Sequence, residues 1–107
     1  MEQIYNINNK TRNITTLGLT SITGKFILIA VIINTKGASS NTMKIYDDAN
    51  GEETPEKLIG TTDTTASIGR IDYGIPIFEG INVRTAVGTA PDLTIIYRPM
   101  PSVGTTT

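Results

Sequence analysis

Carboxylates are the residues of this chain best suited to chemistry, and the densest group is the acidic stretch DDANGEE, Asp47 to Glu53. Calcium takes several carboxylate and carbonyl oxygens, so such a loop invites a cation. Its spacing fails the EF-hand: with Gly51 at the invariant turn position, Tyr46 falls on the first ligand position and Lys57 on the twelfth. A looser surface calcium site competes with the plainer reading, a solvated hairpin loop in which Asn50 and Gly51 tolerate positive φ. Asp63, Asp72 and Glu79 are further acids that general acid and base catalysis could recruit, but nothing in their spacing pairs them. With neither histidine nor cysteine in the chain, a Ser or Thr nucleophile has no usual base. The glycines form neither GxGxxG nor GxxxxGK[ST] and serve as turn punctuation. Tyr5, Tyr46, Tyr73 and Tyr97, with Phe26 and Phe78, would stack on sugars only if several met on an exposed face; aromatics on strands more often pack half-buried. The expectation is a protein that is not an enzyme, with no catalytic residue, no metal and no cofactor.

What must position these residues is one domain spanning 1–107, since 107 residues support one core and not two. Nine basic and ten acidic residues nearly cancel, leaving a net charge of −1, and the Lys and Arg are scattered singly. Direct nucleic-acid binding by bulk charge is disfavoured on that account. The absence of cysteine rules out disulfides and suits a reducing cytoplasm. The start MEQIYNINNK lacks the pattern of a secretory signal, and the longest apolar run, eight residues, is far short of the roughly 20 of a membrane helix.

Isoleucine and threonine dominate, both β-branched and suited to a pleated sheet, while glycine or turn-type residues recur every eight to twelve positions or so. Strands are expected near Gln3 to Asn9, Asn13 to Leu19, Phe26 to Asn34, Thr42 to Asp47, Lys57 to Thr62, Ser67 to Tyr73, Ile75 to Phe78, Ile81 to Ala86 and Leu93 to Arg98. The expected class is all-β: an antiparallel, jelly-roll-like sandwich of about eight strands with no significant helix. Residues 1–23 would supply an N-terminal arm plus the first strands, and 99–107, broken by Pro99 and Pro101, an extended exposed tail. Pro76 cannot donate to a ladder, so its strand should be an edge or begin there.

Several strands alternate cleanly with period two. Met43 and Ile45 share one face, as do Ile81 and Val83, and as do Leu93, Ile95 and Tyr97. The stretch KFILIAVIINTK breaks this rule, because every residue from Phe26 to Ile33 is apolar. Strict alternation places Phe26, Leu28, Ala30 and Ile32 on one face and Ile27, Ile29, Val31 and Ile33 on the other. The expected core is Phe26, Leu28, Ile32, Met43, Ile45, Ile81, Val83, Leu93 and Ile95. Ile27, Ile29, Val31 and Ile33 then form a second buried face or an oligomer interface. Burying four such side chains contributes about 6 to 12 kcal/mol, comparable with the stability of a small domain. The cover is either the chain's own N-terminal segment or another subunit, unless the strand is central in a barrel-like fold.

The succession GKFILIAVIINTKGASSNTMKIYDDANG, KLIGTTDTTA and DYGIPIFEGINVRTAVGTAPDLTIIYRP, over about residues 24 to 99, resembles small virion structural proteins of tailed bacteriophages. In that group a strand ending in Asn-Thr passes through a Gly-Ala-Ser turn into an I-Y-D strand. Then come an I-x-T-x-D-T-like strand, a Y-G-I stretch, G-[IL]-x-V, and a Gly-Thr-Ala-Pro-Asp turn into T-[IV]-x-Y-R. The resemblance implies a non-enzymatic capsid decoration or cement protein that oligomerises, commonly as a homotrimer, and stabilises the head. Its implied partners are its own copies and the major capsid protein or other virion proteins, with no nucleic acid and no membrane. It would be made in the host cytoplasm and sit on the capsid exterior. The alternative within the virion is a head-fibre base, tail or glycan-binding receptor module.

Overall fold

The computed structural model describes residues 8–100. Eight strands form two antiparallel sheets: β1 (Lys10–Ile14), β2 (Gly18–Thr23), β3 (Phe26–Thr35), β4 (Thr42–Asp47), β5 (Leu58–Asp63), β6 (Gly69–Ile77), β7 (Gly80–Ala86) and β8 (Asp92–Pro99). One sheet runs β1-β8-β3-β6 and the other β2-β7-β4-β5. Pairing of first with eighth, second with seventh, third with sixth and fourth with fifth, alternating between sheets, is the jelly-roll order. The one helical piece among the described residues is a 3-10 turn at Pro55–Lys57. The fold class expected from the sequence is the one observed.

The core is the set of side chains the two sheets turn toward each other. Ile14, Leu28, Val31, Ile33, Ile77, Leu93, Ile95 and Tyr97 come from one sheet, and Met43, Ile45, Ile81 and Val83 from the other. On β8 the alternation is unbroken, with Leu93, Ile95 and Tyr97 buried between half-exposed neighbours. Its partner β3 does not keep step. Leu28 pairs with Tyr97 and Ala30 with Ile96, so β3 advances two residues where β8 advances one. Against β6 the same two residues span Ile75 to Asp72. This β-bulge at Ile29 and Ala30 reverses the parity of the strand. The inward residues are therefore Leu28, Val31 and Ile33, with Phe26 packed against them, and not Phe26, Leu28, Ala30 and Ile32.

Two other boundaries differ from the sequence reading. The run Asn13 to Leu19 is not one strand: the chain turns at Thr15–Leu17, leaving the first sheet and entering the second. The runs Ser67 to Tyr73 and Ile75 to Phe78 belong to a single strand, β6, in which Gly74 adopts φ +65° beside the bulge in β3. Pro76 lies on β6, an edge strand. The expected strand Gln3 to Asn9 lies largely outside the described residues, and Asn8 and Asn9 are not in a strand. Residues 10–23 extend the two sheets at one side of the sandwich as β1 and β2 and do not lie across the apolar strand as an arm. At the C-terminus Pro99 is still paired with Phe26, and the Met100 N–H reaches the Lys25 carbonyl; 101–107 lie outside the described residues.

The turns divide between the two ends. At one end the 36–41, 64–68 and 87–91 segments are tied together by two buried polar residues. The Asn41 amide donates to the carbonyls of Ala86 and Val87 at 3.2 and 2.9 Å, and the Thr64 hydroxyl donates to Asn41 Oδ1 at 2.6 Å. The fit is close enough that a Cβ on Gly88 (φ +69°) would lie 2.2 Å from the Ala38 carbonyl oxygen.

Candidate functional site

The acidic segment that first suggested chemistry is consumed by structure. Asp47 accepts from the N–H groups of Phe78 and Glu79 at 3.1 and 2.9 Å, holding the turn between β6 and β7. Asp48, fully buried, accepts from the N–H groups of Ala49 and Thr54 at 2.9 and 2.8 Å. Hydrogen bonding from the Thr54 side chain and N–H holds its pKa at about 2, against the opposing effect of burial. Glu53 forms a two-pronged pair with Arg84, which lowers the carboxyl's pKa. Gly51 takes the φ of +83° that the turn requires. Among the described residues no group of three or more potential acidic or thiol/imidazole ligands is placed to hold a metal.

The other three acids are dispersed. Asp63, at the β5–β6 end, accepts from the Thr65 N–H and hydroxyl at 2.9 and 2.6 Å. Glu79, at the opposite end, is bonded by Lys57 at 2.6 Å, and Asp72 by Arg70 at 2.6 Å. A groove of about 390 Å³ runs between β5 and β6, with Asp63 and Arg70 as its charged lining. Both bond the partners just named, and Thr61, Thr62 and Ser67 supply the rest of its polar lining. The aromatics do not meet on a surface either. Tyr46 and Tyr97 are buried, Tyr73 is half-buried, and Phe26 packs edge-on to Tyr97 at 5.0 Å between ring centroids. Phe78 is exposed by itself, and Tyr5 lies outside the described residues.

The residues set apart as a second face sort differently than alternation implies. Ile27 and Ile29 are half-buried on the outer side of the β1-β8-β3-β6 sheet, whereas Val31 and Ile33 are core. Ile32, expected in the core, joins the outer side instead, because the bulge has turned it over. Phe26 is half-buried against the core; Leu28, Met43, Ile45, Ile81, Val83, Leu93 and Ile95 are fully buried. Ile96 belongs to neither of the sets expected from the sequence. Its pairing with Ala30 puts it on the outer side, and the alternation of β8 already contained that signal.

The outer face of this sheet thus carries Ile27, Ile29, Ile32 and Ile96 at its centre, around a buried Ala30. Charges stand at its margin: the Arg70–Asp72 pair on β6, Asp92 and Arg98 on β8. Asp92 and Thr94 receive the amides of Asn13 and Asn34 at one end. Arg98 Nε is shielded from solvent and has no hydrogen-bond acceptor among the described residues.

The opposite outer face is of another kind. There Asn82 is buried; its amide donates to the carbonyls of Asp48 and Ala49 at 2.9 and 3.2 Å, and its Oδ1 accepts from Ser21 and the Gly51 N–H. Beside it Arg84 is held by Glu53, so the 48–57 segment lies over the β2-β7-β4-β5 sheet as an internal cover.

No protein-family model matches this chain, and a search of curated proteins finds no similar one. Among the described residues no helix is long and apolar enough to cross a membrane.

Proposed function

We propose that this chain is a non-enzymatic structural protein of a tailed-phage virion, specifically a capsid decoration protein. Its copies associate through the outer face of the β1-β8-β3-β6 sheet, as a homotrimer, and attach to the major capsid protein on the outside of the head. The observation that carries this reading is the contrast between an aliphatic sheet face that the described residues leave without internal cover and polar groups elsewhere that are satisfied within the chain. Water does not compensate isoleucine, so a face holding four of them gains by meeting another surface.

A second copy is the occupant that the charges favour. Both signs stand on the margin, so each copy offers the other an opposite charge. Two strands about 4.8 Å apart and six residues at about 3.3 Å give a patch of roughly 200 Å², well below the ~800 Å² of a standard partner surface. The patch is therefore the apolar centre of a contact whose rim is polar. The fold is compatible with this reading, jelly rolls being used by viral capsids and lectins alike.

Mass spectrometry of purified particles encoding this chain tests the location. A copy number comparable with that of the major capsid protein is expected. A handful of copies per particle would move the assignment to a fibre or tail component, and absence from particles would end the virion reading.

A further inference from the structure

Four strands form the edges of the two sheets, and three of them are protected against pairing with their own kind. β1 carries Lys10 and Arg12, which would face like charges in a second β1. β6 carries Arg70, Asp72, Pro76 and the irregularity at Gly74. β5 breaks register opposite Ile45 and Tyr46 and ends on Asp63. β2, GLTSIT, has no charge and no proline, and its register with β7 is unbroken from Gly18–Thr85 to Thr23–Gly80.

The hydrogen-bond phase of β2 follows from its end. The Gly24 N–H donates to the Glu79 carbonyl, and Gly80, opposite Thr23, gives its carbonyl to Asp48 on the far side of β7. Bonding toward β7 therefore falls on Gly24, Ile22, Thr20 and Gly18, by the alternation of an antiparallel ladder. Leu19, Ser21 and Thr23 direct their N–H and C=O groups to the open side, and among the described residues no backbone group pairs with them there.

We infer that β2 is the edge onto which a second copy of this chain adds, antiparallel, about a two-fold axis at Ser21, joining two four-stranded sheets into one. Such a contact is self-complementary: Leu19 meets the partner's Thr23, and Ser21 meets the partner's Ser21, with no charge opposed. A second copy is favoured over a foreign strand because the other three edges resist self-pairing and this one does not. One strand pair buries little area, so the contact is weak between free molecules. It becomes effective where copies are already held side by side. The contact lies on the other sheet from the aliphatic face and does not depend on that face being an interface.

Amide hydrogen exchange on the full chain at low and high protein concentration tests the inference. The amides of Leu19, Ser21 and Thr23 should exchange on the order of tenfold more slowly at high concentration, while those of Lys10–Ile14 should not change. The double variant Leu19→Lys with Thr23→Lys sets lysine against lysine and should abolish the gain. So should Leu19→Glu with Thr23→Glu, and an equimolar mixture of the two should restore it. Concentration-independent exchange at the three wild-type amides, or failure of the mixture to restore protection when both variants keep native circular dichroism, would overturn the inference. Repeating the exchange in Ile32→Asp separates the two surfaces: protection at β2 should persist there even though association through the aliphatic face is lost.

Discussion

The two outer faces of this sandwich are made by the same kind of strand and finished in opposite ways. Over the β2-β7-β4-β5 sheet the chain lays its own 48–57 segment, and Asn82, Asp48, Glu53 and Arg84 leave few groups unmet. Over the β1-β8-β3-β6 sheet the described residues provide no such cover, and the centre is Ile27, Ile29, Ile32 and Ile96. A face covered by its own chain contributes to folding. A face of aliphatic side chains left open contributes little to the monomer and much to an assembly.

The sharpest way to break this contrast is to place a charge on either side of the parity change in β3. Val31→Asp buries an unpaired carboxylate in the core and should abolish the cooperative urea transition. Ile32→Asp, one residue on, should keep a cooperative transition, lowered only by the stabilisation that association lends the wild type, because its side chain faces outward.

On the covered face the largest effect belongs to Asn82. Asn82→Ala strands the groups now bonded to a buried amide and should cost about 2 to 4 kcal/mol by urea denaturation.

Acid should loosen the same face next. The Asp48 pKa is lowered from 3.8 to about 2 in the folded state, so its stabilisation is complete above about pH 4 and is lost as pH falls toward 2. Glu53 and Asp63 are shifted in the same direction. The urea midpoint should therefore fall over that window, and Asp48→Asn should flatten the dependence.

The smallest effect is at the surface pair. Arg84→Gln should cost no more than about 1 kcal/mol, because the Arg84 and Glu53 side chains remain 37% and 27% exposed and solvent screens them.

Much of this architecture is legible in the sequence, for a reason particular strands make plain. In β4, β7 and β8 polar residues alternate with apolar ones, so the pattern states both the strand and its inward face. In β3 all eight residues from Phe26 to Ile33 are apolar, and a uniform run holds no record of parity. The bulge at Ile29 and Ala30 therefore left no trace, and the inward and outward sets were exchanged beyond it. The turn at Thr15–Leu17 was hidden because it contains no glycine or proline, while Gly74 and Pro76 suggested a break that an edge strand absorbs. The acidic loop shows the converse. Its composition is that of a cation site, but backbone N–H groups occupy Asp47 and Asp48, and no spacing rule reveals where a neighbouring turn will direct its amides.

The most direct test of an assembling aliphatic face is the native mass of the full chain by light scattering across a dilution series, beside the double variant Ile27→Asp with Ile32→Asp. Wild type should hold a mass near three times 11.5 kDa over the series, with any further doubling confined to the highest concentrations. The variant should fall to 11.5 kDa and still unfold cooperatively, at a midpoint that does not depend on concentration. A wild-type monomer at every concentration, or a folded variant of undiminished mass, would contradict the account.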